Sequence, residues 1–270
     1  MFINTLIISM IFWLPSLAHG QYGDDNYDDP AVVGNTGNAN SNEPKTSFRF
    51  GYGYLNESSE LATKEGFKNT LPMSTGFMRS FEARYNPSKQ TSLRLRFRNQ
   101  TVIFKDVPET SPSDIDVQRS HLRIGMQVMP FGKGAMQNVS LGFGVYRAER
   151  HATETAPNTL LADHQQLGLG LALGWDKKLS KDLDLETNAE MEMPLVFKEL
   201  NVKTGPFYYG MNYEFSGMFA YTAARWQVLS VGLALRQSRA AFSGTGQQGT
   251  VDGRDNQMDW WVPLEFRMRF

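Results

Sequence analysis

The sequence predicts an all-β protein: an up-and-down antiparallel β-barrel of about ten strands that crosses a membrane. Three observations carry this reading. From about Lys45 onward, apolar and polar residues alternate with period two in segment after segment, as in strands whose two faces meet different surroundings; the same pattern would scatter apolar residues around a helix. The segments are joined alternately by short and long polar connections, as in a barrel with tight turns on one side and larger loops on the other. No run of about 20 apolar residues, which a helical span requires, occurs in the chain, whereas a barrel needs only alternate residues to face lipid. With 270 residues and no cysteine, a disulfide framework, thiol chemistry and a lipid anchor on an N-terminal cysteine are excluded.

Two segments precede the alternation. Residues 5–17 are a short apolar run ending in Ala18-His19-Gly20, the core and small-x-small cleavage site of a signal peptide covering residues 1–20, although its start carries no Lys or Arg. Residues 21–45 hold Asp24, Asp25, Asp28, Asp29 and Glu43 against Lys45 alone, a net charge of −4. Such a stretch has too little apolar surface to order itself and is expected to be a disordered acidic leader on the periplasmic side. Its acidic run lacks the spacing and glycine of a calcium loop.

The alternating segments follow in order. The first, 46–55, sets Phe48, Phe50, Tyr52 and Tyr54 on one face, and the second, 74–85, sets Phe77, Phe81 and Tyr85. In the third, 90–104, Leu93, Leu95 and Phe97 alternate with Arg94, Arg96 and Arg98. The fourth, 115–129, opposes Leu122, Ile124, Met126 and Val128 to Arg119, His121 and Arg123. The fifth and sixth alternate large apolar residues with glycine (Gly142, Gly144, Gly168, Gly170, Gly174). The seventh alternates Leu183, Leu185, Met191 and Met193 with Asp184, Glu186, Glu190 and Glu192. The eighth, 206–222, is aromatic on one face, and the ninth, 227–238, is aliphatic. Longer polar loops are expected near 56–73, 105–114, 150–163, 194–205 and 239–256.

The last segment is the most specific. Trp260, Val262, Leu264, Phe266, Met268 and Phe270 share one face, and Trp261, Glu265, Arg267 and Arg269 the other. This ending resembles the terminal strand of Gram-negative outer-membrane β-barrels, which close on an aromatic residue after alternating apolar positions. The resemblance implies a place in the cell outer membrane, reading of those six residues by the barrel-assembly machinery, contact with outer-membrane lipid, and a monomer. Strand counts of 8, 10 and 12 fit the pattern, and ten puts both ends on the periplasmic side.

The apolar face is expected to point outward, flanked by Trp175, Tyr85, Tyr221 and Trp260 as girdles. Glycines on the other face suit a confined lumen that long side chains must fill, and suit solvent-exposed strands poorly. Arg79 breaks the pattern, since it falls on the lipid-facing parity and would require a bulge near Met78 or a position at the interface.

The chemistry therefore lies inside. Arg94, Arg96, Arg98, Arg119, His121 and Arg123 form basic rows, with Asp184, Glu186, Glu190 and Glu192 an acidic row across the barrel. In a ring about 20 Å across, an Arg reaching about 7 Å and a Glu about 4 Å would leave several Å of water between them. The first expectation is a narrow pore for small polar solutes; the alternative is a non-conducting structural or surface-interaction barrel filled by ion pairs. An outer-membrane hydrolase is a third reading, weakened because Ser120 lies on the opposite face from His121, and Asp163-His164 lacks a second carboxylate pair. No cofactor or metal is implied. Nucleic acid is excluded because a membrane barrel's interior cannot admit a duplex. The loop Gly244–Gly249 matches a dinucleotide fingerprint but has no helix after it.

Overall fold

The computed structural model describes residues 45–63, 68–105, 114–130, 138–153, 164–199, 207–224, 226–242, 245–246, 249–250 and 252–270. The expected signal segment and acidic leader lie outside them, as does Asp163. The strands are β1 (Thr46–Thr63), β2 (Lys68–Ser88), β3 (Thr91–Phe104), β4 (Ile115–Val128), β5 (Val139–Thr153), β6 (His164–Lys178), β7 (Leu183–Glu199), β8 (Phe207–Ala224), β9 (Gln227–Phe242), β10 (Thr245–Gly246), β11 (Gly249–Thr250) and β12 (Gly253–Arg269). No helix occurs among the described residues. Strands β1–β9 and β12 form one closed antiparallel barrel, each paired with its neighbour in sequence, while β10 and β11 make a separate two-stranded hairpin.

Closure comes from β1 pairing with β12 along its whole length, from Ser47 opposite Arg269 to Thr63 opposite Gly253. The backbones of Thr46 and Phe270 exchange hydrogen bonds of 3.2 and 2.8 Å at the end of this seam. Outside it, rings meet across the seam, Phe48 edge-on to Phe270 at 6.0 Å and Tyr54 tilted against Trp260 at 6.2 Å, while Phe50 lies 5.3 Å from Phe81 on β2. Each such pair contributes about 0.5–1.5 kcal/mol beyond its area.

Following the pairing from Thr46 through all ten strands returns to β1 at Ser58, twelve residues further along. Ten strands with that stagger tilt by about 40° and enclose a backbone ring about 20 Å across. A row of paired residues therefore climbs away from the terminal end as it passes from β2 round to β12.

The apolar parity faces out. Phe50, Tyr52, Phe77, Tyr85, Ile124, Phe143, Leu169, Leu171, Phe219, Leu233 and Leu264 are all exposed. Arg79 also faces out and is exposed, and β1–β2 pairing runs without a break from Tyr85 to Ser74, so there is no bulge at Met78. It begins an outward polar row, Arg79–Asn99–Ser120–Glu149–Gln165, that climbs toward the far edge. Arg79 therefore has polar outward neighbours along that row, although Phe77 and Ile103 lie beyond it.

The strands run further than the alternation suggested. Residues 56–63, 68–73, 150–153, 194–199, 239–242 and 253–256, all expected in loops, are paired β-structure. Beyond the apolar band nothing forces the outer face to be apolar, so the period-two signal fades while hydrogen bonding continues.

Candidate functional site: the filled lumen

Inward parity brings the charged residues of opposite walls into one column. Nearest the termini, Arg49 on β1 binds Glu265 (3.0 Å) and Glu186 (2.9 Å), and Arg267 on β12 binds Glu186 at 2.6 Å. At mid-height Arg96 on β3 grips Glu190 on β7 through both terminal nitrogens, one at 2.8 Å, and Arg123 on β4 reaches the same carboxylate at 2.5 Å. Arg98 makes two contacts of 2.5 Å with Glu214 on β8 and lies 5.3 Å over the Trp261 ring. His121 Nε2 is 2.7 Å from Glu192, which also faces Arg236 at 3.7 Å, and the imidazole stacks on Tyr146 at 5.7 Å. Higher still, Arg119 joins Asp259 (2.7 Å) and Glu57, while Arg150 reaches Asp255 at 3.3 Å and Glu57 at 3.7 Å.

These contacts correct the expected water gap between the rows. A circular section would leave Arg96 and Glu190 short of each other; direct pairing means the walls approach more closely. Inward glycines permit this. A Cβ on Gly170 would sit 3.1 Å from the Arg123 guanidinium carbon, and one on Gly144 would collide with the carbonyl oxygen of Ile124 on the neighbouring strand. The first makes room for a side chain, and the second lets the β4–β5 wall bend sharply.

Of the residues singled out from sequence, Arg96, Arg98, Arg119, His121 and Arg123 meet Glu190, Glu192, Glu214 or the Glu57–Asp259 pair. Glu186 pairs instead with Arg49 and Arg267. Arg94 and Asp184 enter no direct ion pair among the described residues. Glu214 and Arg236 were passed over because they interrupt aromatic and aliphatic strands, though their parity places them inward. Glu57, Arg150 and Asp255 lay in stretches expected to be loops. The possible nucleophile Ser120 sits on the opposite side of the sheet from the His121–Glu192 pair, and the buried His164 contacts Gln166 at 2.7 Å. No group of three or more metal-ligating side chains is present among the described residues.

Above the charges the interior changes character. Val102, Phe104, Ile115, Val117, Leu71 and Ala152 turn inward at the far end and are 0–5% exposed. They continue one apolar core with Leu55, Met78, Ala234 and Trp261. Most charges below are paired, as burial demands; the far end is apolar.

An apolar outer band around a charged, paired lumen is the reverse of a soluble barrel, which buries its apolar face. The chain is a transmembrane β-barrel. No family model matches it, and no curated protein matches it. Solved structures similar to it are outer-membrane proteins. The outer membrane protease OmpT of Escherichia coli shares 8% identity over 83% of this chain and 96% of that one, with a TM-score of 0.47. An outer membrane channel of Pseudomonas putida shares 11% over 87% and 100%, with a TM-score of 0.44. A FadL homologue of Pseudomonas aeruginosa shares 9% over 84% and 90%, with a TM-score of 0.40. The likeness assigns no activity to the barrel.

Proposed function

We propose that the barrel sits in the outer membrane with its termini toward the periplasm, and that it is a non-conducting, ion-pair-filled body supporting its cell-surface segments. The observation that carries this reading is the double obstruction of the lumen. Arg96, Arg123 and Glu190 bridge the walls at mid-height, and Phe104, Ile115 and Val117 fill the far end with apolar side chains that are at most 1% exposed. A pore would need a continuous wet path, and opening one would break the Arg96–Glu190–Arg123 bridge and part the apolar side chains of the far end. The same reading takes insertion through the barrel-assembly machinery, guided by the strand ending at Phe270, and a monomer in the membrane.

Swelling of proteoliposomes in small sugars and amino acids tests it. The rate should match that of protein-free liposomes. Swelling that speeds up as the solute becomes smaller would restore the pore reading.

A further inference from the structure

The lumen's terminal end holds a cavity of about 120 Å³, room for several waters. Most charges around it are spoken for. Arg49 and Arg267 pair with Glu186, Arg49 also with Glu265, Arg96 with Glu190, Arg98 with Glu214, and Arg84 with Glu82 at 3.6 Å. Two charges lining the cavity have no direct ion pair among the described residues: Arg94 on β3 and Asp176 on β6.

Their settings make this costly to leave unfilled. Arg94 stands directly across from Arg84 on β2, a like-charge neighbour that weakens a strand pair. Its Nε is buried and meets no acceptor. On that wall a single carboxylate, Glu82, serves both guanidiniums, and Arg84 reaches it at 3.6 Å. Asp176 is exposed on the other wall, two residues before the end of β6, with Thr187 and Asn188 of β7 lining the same cavity. The cavity thus offers one guanidinium and one carboxylate from facing walls that do not touch each other.

A simple anion would satisfy Arg94 and be repelled by Asp176; a simple cation would meet the reverse. A molecule carrying both charges a few atoms apart satisfies both. We propose that this vestibule binds small zwitterions of the free α-amino-acid class, carboxylate on Arg94 and ammonium on Asp176. Arg84 adds a second positive charge beside the carboxylate. The site needs only the terminal mouth to be open, so it does not depend on whether the far end is closed.

Isothermal titration of the folded full chain in detergent tests this with three probes: glycine, N-acetylglycine, which lacks the ammonium, and glycinamide, which lacks the carboxylate. Glycine should bind, with each analogue weaker by about tenfold or more, the loss of one charge-assisted contact. Arg94→Gln and Asp176→Asn should each weaken glycine by a similar factor. Asp176→Asn should in addition improve N-acetylglycine, because the repelling charge is gone. Glycine binding no better than either analogue, no binding at near-saturating glycine, or variants that bind like the parent would overturn the proposal. The analogue series on the unaltered chain decides by itself if a variant fails to fold.

Discussion

The lumen is closed at mid-height and at its far end by opposite chemistry. Up to the level of Arg119 and Arg150 most inward charged side chains are matched, guanidinium to carboxylate, across the barrel. Beyond them, on the same strands and with the same parity, the inward side chains are Val102, Phe104, Ile115 and Val117. The difference follows the outer face. Where lipid demands apolar side chains outside, the polar residues turn in and must find partners. Where the strands project past the apolar band, polar residues such as Asp116 and Gln118 turn out to water, and the interior is free to pack like an ordinary core.

That inversion can be broken from either side. The largest effect is expected at the charged level. Glu190→Ala would take from Arg96 its only direct ion-pair partner among the described residues and leave Arg123 only Glu192, 4.0 Å away, at a cost of about 3–5 kcal/mol, as for a broken buried pair. The folded band on a heat-modifiability gel should then convert at a clearly lower temperature. Glu190→Gln, which keeps one accepting oxygen, turns an amide NH2 toward donors and loses the charge, should fall between the two. At the apolar end Phe104→Ala removes a fully buried ring and should cost about 3 kcal/mol, measured by guanidinium unfolding in micelles. The contrast sharpens if salt is varied: added salt should change the loss at Glu190 and leave the loss at Phe104 unaltered.

Smaller effects lie outside both regions. Removing Phe270 deletes its ring contact with Phe48 and its backbone exchange with Thr46, about 1–3 kcal/mol together. Its larger consequence should be in assembly, with protease-sensitive chain accumulating before the membrane. Arg94→Gln should be nearly silent in stability, within about 0.5 kcal/mol, because no direct ion pair is lost and a like-charge contact with Arg84 is relieved.

How much of this was legible in the sequence follows from the same inversion. Lipid imposes one rule on every strand, so Leu93–Leu95–Phe97 against Arg94–Arg96–Arg98 announces both a strand and its two faces. On β4 the apolar parity changes phase, from Ile115 and Val117 inside to Leu122 and Ile124 outside, with no bulge in the β3–β4 pairing. A reading that holds one phase sees such a stretch as the end of a strand, which is why residues 56–63 and 150–153 read as loop and the inward Glu57 and Arg150 give no signal. Glu214 and Arg236 were readable by parity alone. The Arg96–Glu190 contact was not, because it depends on how sharply the walls bend at Gly144, a distance that no pattern of alternation encodes.

Single-channel recording in planar bilayers tests most directly the claim that the lumen is closed. The unaltered chain should insert without steady conductance over the range of voltages a bilayer tolerates. A chain carrying Glu190→Ala with Phe104→Ala and Val117→Ala, which removes the charged bridge and thins the apolar closure together, should conduct if it folds. Stable, stepwise conductance from the unaltered barrel would contradict the account.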